Sequence, residues 1–347
     1  MKNKKIFLLV LICLMSFGLF ACSNNKANAP KEGSKVEAKE DKNNKKDEKD
    51  EKDEKDSDFK MPRVAALKGP TAMGMSKMFE EDQSNLTILT APDQVVAGLS
   101  KGEFDVAAIP SNMASILYNK TEGKLLKVAA INTLGNLYIA SSDASIKFIP
   151  DLKGKKIVSA GQGASPEYVL NYLLEKNGLA PDDVTIEWKS EHQEVLASSG
   201  EDNTVLLLPQ PFMTVALSKD KTLVENIDLN KEYKKATQGR PMVMGVLVVS
   251  KAYLENSKKD FEEFLDKYED SIKFVNENPK EAAAIIEKLG IAPAALAEKA
   301  IPKANMSYED GMDMKRDLEG FLSVLEKANP KSIGGKMPGE DFYFVED

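Results

Sequence analysis

Asp151-Leu152-Lys153-Gly154-Lys155-Lys156-Ile157-Val158-Ser159-Ala160-Gly161-Gln162-Gly163-Ala164-Ser165-Pro166 is the stretch that decides the fold of this chain. Lys156–Ala160 reads as a short buried strand and Gly161-Gln162-Gly163 as a turn. Pro166–Lys176 then carries apolar residues at helical spacing behind a proline suited to a first helical turn. A strand that passes through a glycine turn into a helix opens a crossover unit, and crossover units build parallel sheets. The grammar continues downstream with strand Val184–Trp188, helix Glu191–Ser198, strand Thr204–Leu208 and helix Phe212–Ser218. It also runs upstream. Strand Arg63–Lys68 leads to a helix over Thr71–Glu81, strand Leu86–Thr90 to helix Asp93–Ser100, and strand Asp105–Ile109 to helix Ser111–Tyr118, before strand Leu126–Ile131.

Two apolar stretches, Leu137–Ala140 and Met242–Ser250, flank the second alternating region and suit paired connections between lobes. Beyond Ser250 the pattern is helical over Asp260–Asn276, Pro279–Leu289 and Tyr308–Ala328. The expected body is therefore α/β, with one lobe from 61–140 and 242–347 and a second from 141–241.

The first sixty residues read as an address and a tether. Met1–Lys5 holds three lysines, and an apolar run to Phe20 follows, too short to span a bilayer comfortably. It ends in Leu19-Phe20-Ala21-Cys22, which resembles the lipobox of bacterial lipoproteins. That resemblance implies cleavage after residue 21 and a diacylglyceryl group on Cys22. Residues 22–60 form a charged linker. From Ser23 to Lys60 there are 11 lysines against 12 acids and almost no large apolar residue, so this segment is expected to stay disordered. Its end-to-end distance as a flexible coil is on the order of 30–40 Å.

Composition excludes several function classes. The 347 residues carry 47 Lys+Arg against 55 Asp+Glu, and an acidic chain is a poor nucleic-acid binder. One histidine and two cysteines are too few for a zinc site of about four His/Cys ligands or for a disulfide framework. His192 is the only imidazole and is expected in an exposed first helical turn. No serine lies in a Gly-x-Ser-x-Gly elbow. No cofactor, metal or catalytic residue is expected, and the chain reads as a non-enzyme.

Ligands of α/β lobes bind beyond the carboxyl ends of the strands. Four turns occupy that position: Lys68–Gly74, Ile109–Met113, Gly161–Pro166 and Leu208–Phe212. Each opens a helix, whose free N–H groups favour a negative group. Thr71, Ser111, Asn112 and Ser165 add side-chain partners, although Thr71, Ser111 and Ser165 are also ordinary helix-cap types. Met73 and Met113 sit in first turns facing the expected cleft. Arg240, in Gly239-Arg240-Pro241 beside the return connection, is a ligand or hinge candidate.

Taken together, the lipobox, the charged spacer, Leu67-Lys68-Gly69-Pro70-Thr71-Ala72-Met73-Gly74 and Asp151-Leu152-Lys153-Gly154-Lys155-Lys156-Ile157 resemble bacterial ABC-transporter substrate-binding lipoproteins. The nitrate/sulfonate/taurine group, which includes thiamine-pyrimidine binders, is the most similar. The resemblance implies a type II periplasmic-binding-protein fold, with two lobes, a two-strand hinge and a closing cleft. It places ligand contacts at Gly69, Pro70, Thr71, Ala72, Met73, Ser111, Asn112, Gln162, Gly163, Ala164, Ser165 and Gln210. It further implies a monomer, lipid-anchored on the outer face of the cytoplasmic membrane, that captures a small organic anion and delivers it to a permease with its ATPase. The alternatives are a binder or enzyme for a thiamine-pyrimidine-like heterocycle, and a lipid-anchored sensor or adhesion protein.

Overall fold

The computed structural model describes residues 59–345. The signal-peptide reading of 1–21, the lipidation of Cys22 and nearly all of the 22–60 linker fall outside them.

The chain first lays down β1 (Val64–Leu67), α1 (Pro70–Met73), β2 (Leu86–Leu89), α2 (Pro92–Lys101), β3 (Val106–Pro110), α3 (Ser111–Lys120) and β4 (Leu126–Leu134). It crosses to a second region containing β5 (Leu137–Ser141), β6 (Lys156–Ala160), α4 (Ser165–Lys176), β7 (Thr185–Lys189), α5 (His192–Ala197), β8 (Thr204–Pro209), α6 (Phe212–Lys219), β9 (Val224–Asp228) and α7 (Leu229–Ala236). It returns through β10 (Val243–Ser250) and ends with α8 (Lys251–Glu277), α9 (Pro279–Lys288), α10 (Ala294–Ala300), β11 (Met306–Glu309) and α11 (Gly311–Ala328).

Two sheets result, ordered β11-β4-β10-β3-β1-β2 and β7-β6-β8-β5-β9. The crossover units pair in parallel, β2 and β3 on β1 and β7 and β8 on β6. The antiparallel insertions are β10, between β3 and β4, and β5, between β8 and β9. These two strands hold the stretches expected as connections. Leu137–Ala140 is thus an inner strand of the second sheet as well as the entry to it. The orientation has a simple cause: a chain that leaves one sheet at its carboxyl edge enters the next from that sheet's carboxyl edge. It must then run against the parallel strands already there.

Alternate side chains of the strands feed different apolar layers. In β10, Val246 and Val248 pack with α3 and α11, while Leu247 and Val249 pack with α8. In β8, Val205 and Leu207 pack on the α4 side, and Leu206 and Leu208 on the α5/α6 side. This is the period-2 pattern of a sheet covered on both faces.

The expected helix over Thr71–Glu81 is broken into α1 and a 3₁₀ turn at Lys77–Phe79. Between them Gly74 lies so close to Ile272 of α8 that an added Cβ would approach its Cγ1 to 3.1 Å. The backbone there packs directly on another helix, which a periodicity reading cannot detect.

Candidate functional site

The sheet registers bring the carboxyl edges of both sheets together. Pro110, the last residue of β3, lies opposite Gly245, and Leu134, the last of β4, opposite Val243. Three residues later Leu137 opens β5 opposite Pro209, the last residue of β8. On the return side Asp228, which closes β9, lies opposite Tyr138. Both crossings therefore occur at the edge where ligands of α/β sheets bind. Gly135, in the first crossing, is required by close approach, since a Cβ there would stand 2.4 Å from Asn230 Oδ1. Asn136 O accepts from Gln210 N at 3.2 Å, which ties that crossing to the end of β8.

In the first turn, Gly69 has φ 137° and precedes Pro70, the first residue of α1. The Thr71 hydroxyl donates to Leu67 O at 2.8 Å. Ala72 and Met73 are buried in the apolar layer with Ala108 and Phe79, so Met73 packs as core. Ser111 is buried and donates to Val243 O at 2.5 Å, joining α3 to the return strand. Asn112, 5 % exposed, donates from Nδ2 to Ser332 O at 3.3 Å. Its Oδ1 accepts from Ser165 Oγ at 3.5 Å, a contact between helices of different sheets.

On the second sheet, Gln162 and Gly163 are exposed, Ala164 is half-buried and Ser165 is buried. Gly163 N–H donates to Glu167 Oε2 at 2.5 Å. Gln210, 2 % exposed, accepts at Oε1 from Thr214 N at 3.3 Å and Thr214 Oγ1 at 2.7 Å. Its Nε2 has no partner among the described residues. The helices α3, α4 and α6 open behind Pro110, Ala164 and Pro211 without a side-chain cap, whereas Asp228 caps α7 and Ser250 caps α8.

The structure thus brings Asn112 and Ser165 together, sets Gln210 on the neighbouring strand end and uses Thr71 and Ser111 for backbone contacts. Arg240 lies apart. It lines a surface concavity of about 470 Å³ with Met312, Lys315, Glu319 and Gly320 of α11. A second concavity, of about 570 Å³, lies between Lys77 and Phe274 on the far side of the first sheet.

His192 is not the exposed residue expected from the sequence. It follows β7, whose Lys189 lies opposite Ala160, and so belongs to the same carboxyl edge. Its ring packs on Phe212 with centroids 4.7 Å apart. Burial disfavours the charged imidazolium and lowers its pKa to about 4. Also unforeseen was the C-terminal segment. Ser115 and Asn119 donate to Ile333 O at 2.8 Å, and Asn329 Nδ2 donates to Tyr168 OH of α4 at 3.3 Å. This segment has neither strand nor helix periodicity, and the only signals for it were the side-chain amides and hydroxyls at 112, 115 and 119 on one face of α3.

The family model described as menaquinone biosynthesis matches residues 63–313. No curated protein matches the chain. The crystal structure of an ABC transporter from Parabacteroides distasonis is 27% identical, with a TM-score of 0.70, covering 82% of this chain and 98% of that one. The periplasmic aliphatic sulphonate-binding protein of Escherichia coli is 15% identical at a TM-score of 0.64, covering 82% and 92%. A desulfurization enzyme, 12% identical at a TM-score of 0.55 and covering 77% and 92%, shares the fold. The chain has the expected two-lobe α/β architecture of periplasmic binding proteins.

Proposed function

For a chain that belongs to the menaquinone-biosynthesis family, we propose the role of extracytoplasmic solute-binding component of an ABC importer. One lobe is built on the first sheet and the other on the second, which begins with β5 at Leu137. A small molecule is held between their facing strand edges and passed to a membrane permease driven by an ATPase. Cys22 carries the lipid anchor, and the linker holds the monomeric body off the membrane. The sequence reading favours a small organic anion of the sulfonate, taurine or nitrate kind.

The observation that supports this reading most is the Asn112–Ser165 contact, in which α3 and α4 meet across the gap between the sheets. A solute that bridges those two helices stabilises the closed arrangement by its differential affinity for it. Binding and closure are then one event, and nothing need be chemically altered. The intact protein, purified and denatured, should release a small molecule identifiable by mass spectrometry. The Asn112→Leu/Gln210→Leu variant should release none. Equal release from both, or from neither, counts against a site at this edge.

His192 supports a second reading, an enzyme acting on a heterocycle, because it shares the carboxyl edge with Gln210. Burial keeps its imidazole neutral near pH 7, as a base must be before it takes a proton, and the lowered pKa makes that base a weak one. Turnover of the released compound, lost in His192→Ala, would favour it.

A further inference from the structure

We propose that the site between the two sheets is built for an uncharged solute with a hydrogen-bond donor and acceptor on one edge, such as a lactam, imide or ureide. This inference rests on the receptor reading above and narrows it away from anions.

The two buried side-chain amides have orientations fixed by their neighbours. Gln210 takes a backbone N–H and a hydroxyl from Thr214, so the accepting atom is the carbonyl oxygen and Nε2 is left over as a donor. Asn112 donates to the Ser332 carbonyl, so that atom is nitrogen and Oδ1 is the acceptor nearest the second lobe. One lobe therefore offers an acceptor and the other a donor. They lie at small-molecule range, since Asn112 reaches the turn after β6, and β6 and β8 are adjacent parallel strands about 5 Å apart.

Charge points the same way. An anion would seek the backbone N–H groups at helix N-termini, but on the second sheet carboxylates of the chain lie at three of those ends, accepting at α7 from its first turn and at α4 and α5 from the turns just before them. Glu167 takes Gly163 N at 2.5 Å, Glu194 takes Ser190 N at 3.0 Å, and Asp228 takes Asn230 N and Lys231 N at 3.0 and 3.3 Å. The fourth, α6, is met by the neutral Gln210 oxygen. Lys68 is the only charged residue in the four turns, and it is exposed. Arg63 pairs with Asp105, Arg316 with Asp313 and Asp317, and Arg240 lies in the concavity against α11. An anion at this edge would face the chain's own carboxylates, whereas a neutral acceptor suits the Gln210 donor without that repulsion.

The test compares probes on the intact protein by thermal shift and calorimetry. Succinimide, hydantoin and uracil form the neutral set, and methanesulfonate and nitrate the anionic set. N-methylsuccinimide lacks the ring donor. At least one neutral probe should raise the melting temperature by several degrees near saturation, with methanesulfonate and nitrate within about 1 °C of the apo protein. Removal of the ring donor, or Gln210→Glu in the protein, should weaken binding at least tenfold. The N-methyl comparison holds even if that variant does not fold. Stabilisation by methanesulfonate or nitrate alone overturns the solute class and leaves the receptor reading standing. Stabilisation by no probe also overturns the class, and the receptor reading is then decided by the small-molecule release experiment.

Discussion

Ser111 is a hydroxyl that works for the fold at a position where the sequence suggested a ligand. It is buried, and its hydrogen bond to Val243 O fastens the start of α3 to the return strand. Ser111→Ala leaves a buried carbonyl short of a partner at a cost of about 1–3 kcal/mol. Its melting temperature should fall by several degrees in calorimetry. Thr71 follows the same logic with Leu67, whereas Asn112 and Gln210 keep a polar atom available. An amide has two polar ends, so one can serve the fold while the other stays available. His192 adds a pH dependence whose sign is fixed by its environment. Its pKa is about 4 in the folded chain against about 6.5 when unfolded, so between those values the unfolded state binds the extra proton. Stability should therefore be unaffected by this group above pH 7 and fall as pH drops from 6.5 to 4, by at most about 3 kcal/mol. Urea unfolding at pH 7 and 4.5 should show that loss shrinking in His192→Gln.

At the scale of elements, the C-terminal segment acts as a strap over α3. Asn112, Ser115 and Asn119 lie on one helical face and donate to carbonyls at 332, 333 and 336. The chain end then adds Tyr343 beside Val128 of β4, with Phe344 N bonded to Val128 O. Gly334 allows the strap to lie close: its φ is 88°, and an added Cβ would stand 3.0 Å from Ile116 Cα. Gly334→Ala combines left-handed backbone strain with that clash, so a loss above about 1 kcal/mol is expected, readable as a lower urea midpoint. Because the strap holds Asn112, the same variant should also weaken ligand binding, measured by calorimetry with the released compound. The sequence announced the crossover units well, since strand, turn and helix have strong local signatures; Lys156–Ala160 and Thr204–Leu208 came out nearly to the residue. It did not announce β9, α7, α10, β11 or the strap. Val224–Asp228 and Met306–Glu309 are short and half-polar, and strap packing is decided by distant partners.

The whole molecule joins its halves through more than the two crossings. Tyr233 of α7 meets Phe321 of α11 at 5.9 Å, within one apolar layer that touches both sheets. Lys303, just beyond α10, pairs with Glu225 of β9 at 2.8 Å, and its carbonyl accepts from Tyr138 OH of β5 at 2.8 Å. The ion pair is partly exposed, so its net worth is small, up to about 1 kcal/mol. If these contacts favour the closed arrangement, Glu225→Gln with Tyr138→Phe should leave the fold intact and weaken ligand binding a few-fold. Small-angle scattering should also find a larger radius of gyration for the unliganded variant. An unchanged radius and affinity would mean that the contacts persist through opening.

The second sheet also has a geometry of its own. Its strands come from the single stretch 137–228, and Tyr138, at the start, lies opposite Asp228, at the end. A segment whose entry and exit are neighbours is a cassette. Leu134 and Val243, between which it is inserted, also lie opposite each other, so a short turn could join the strands on either side of it.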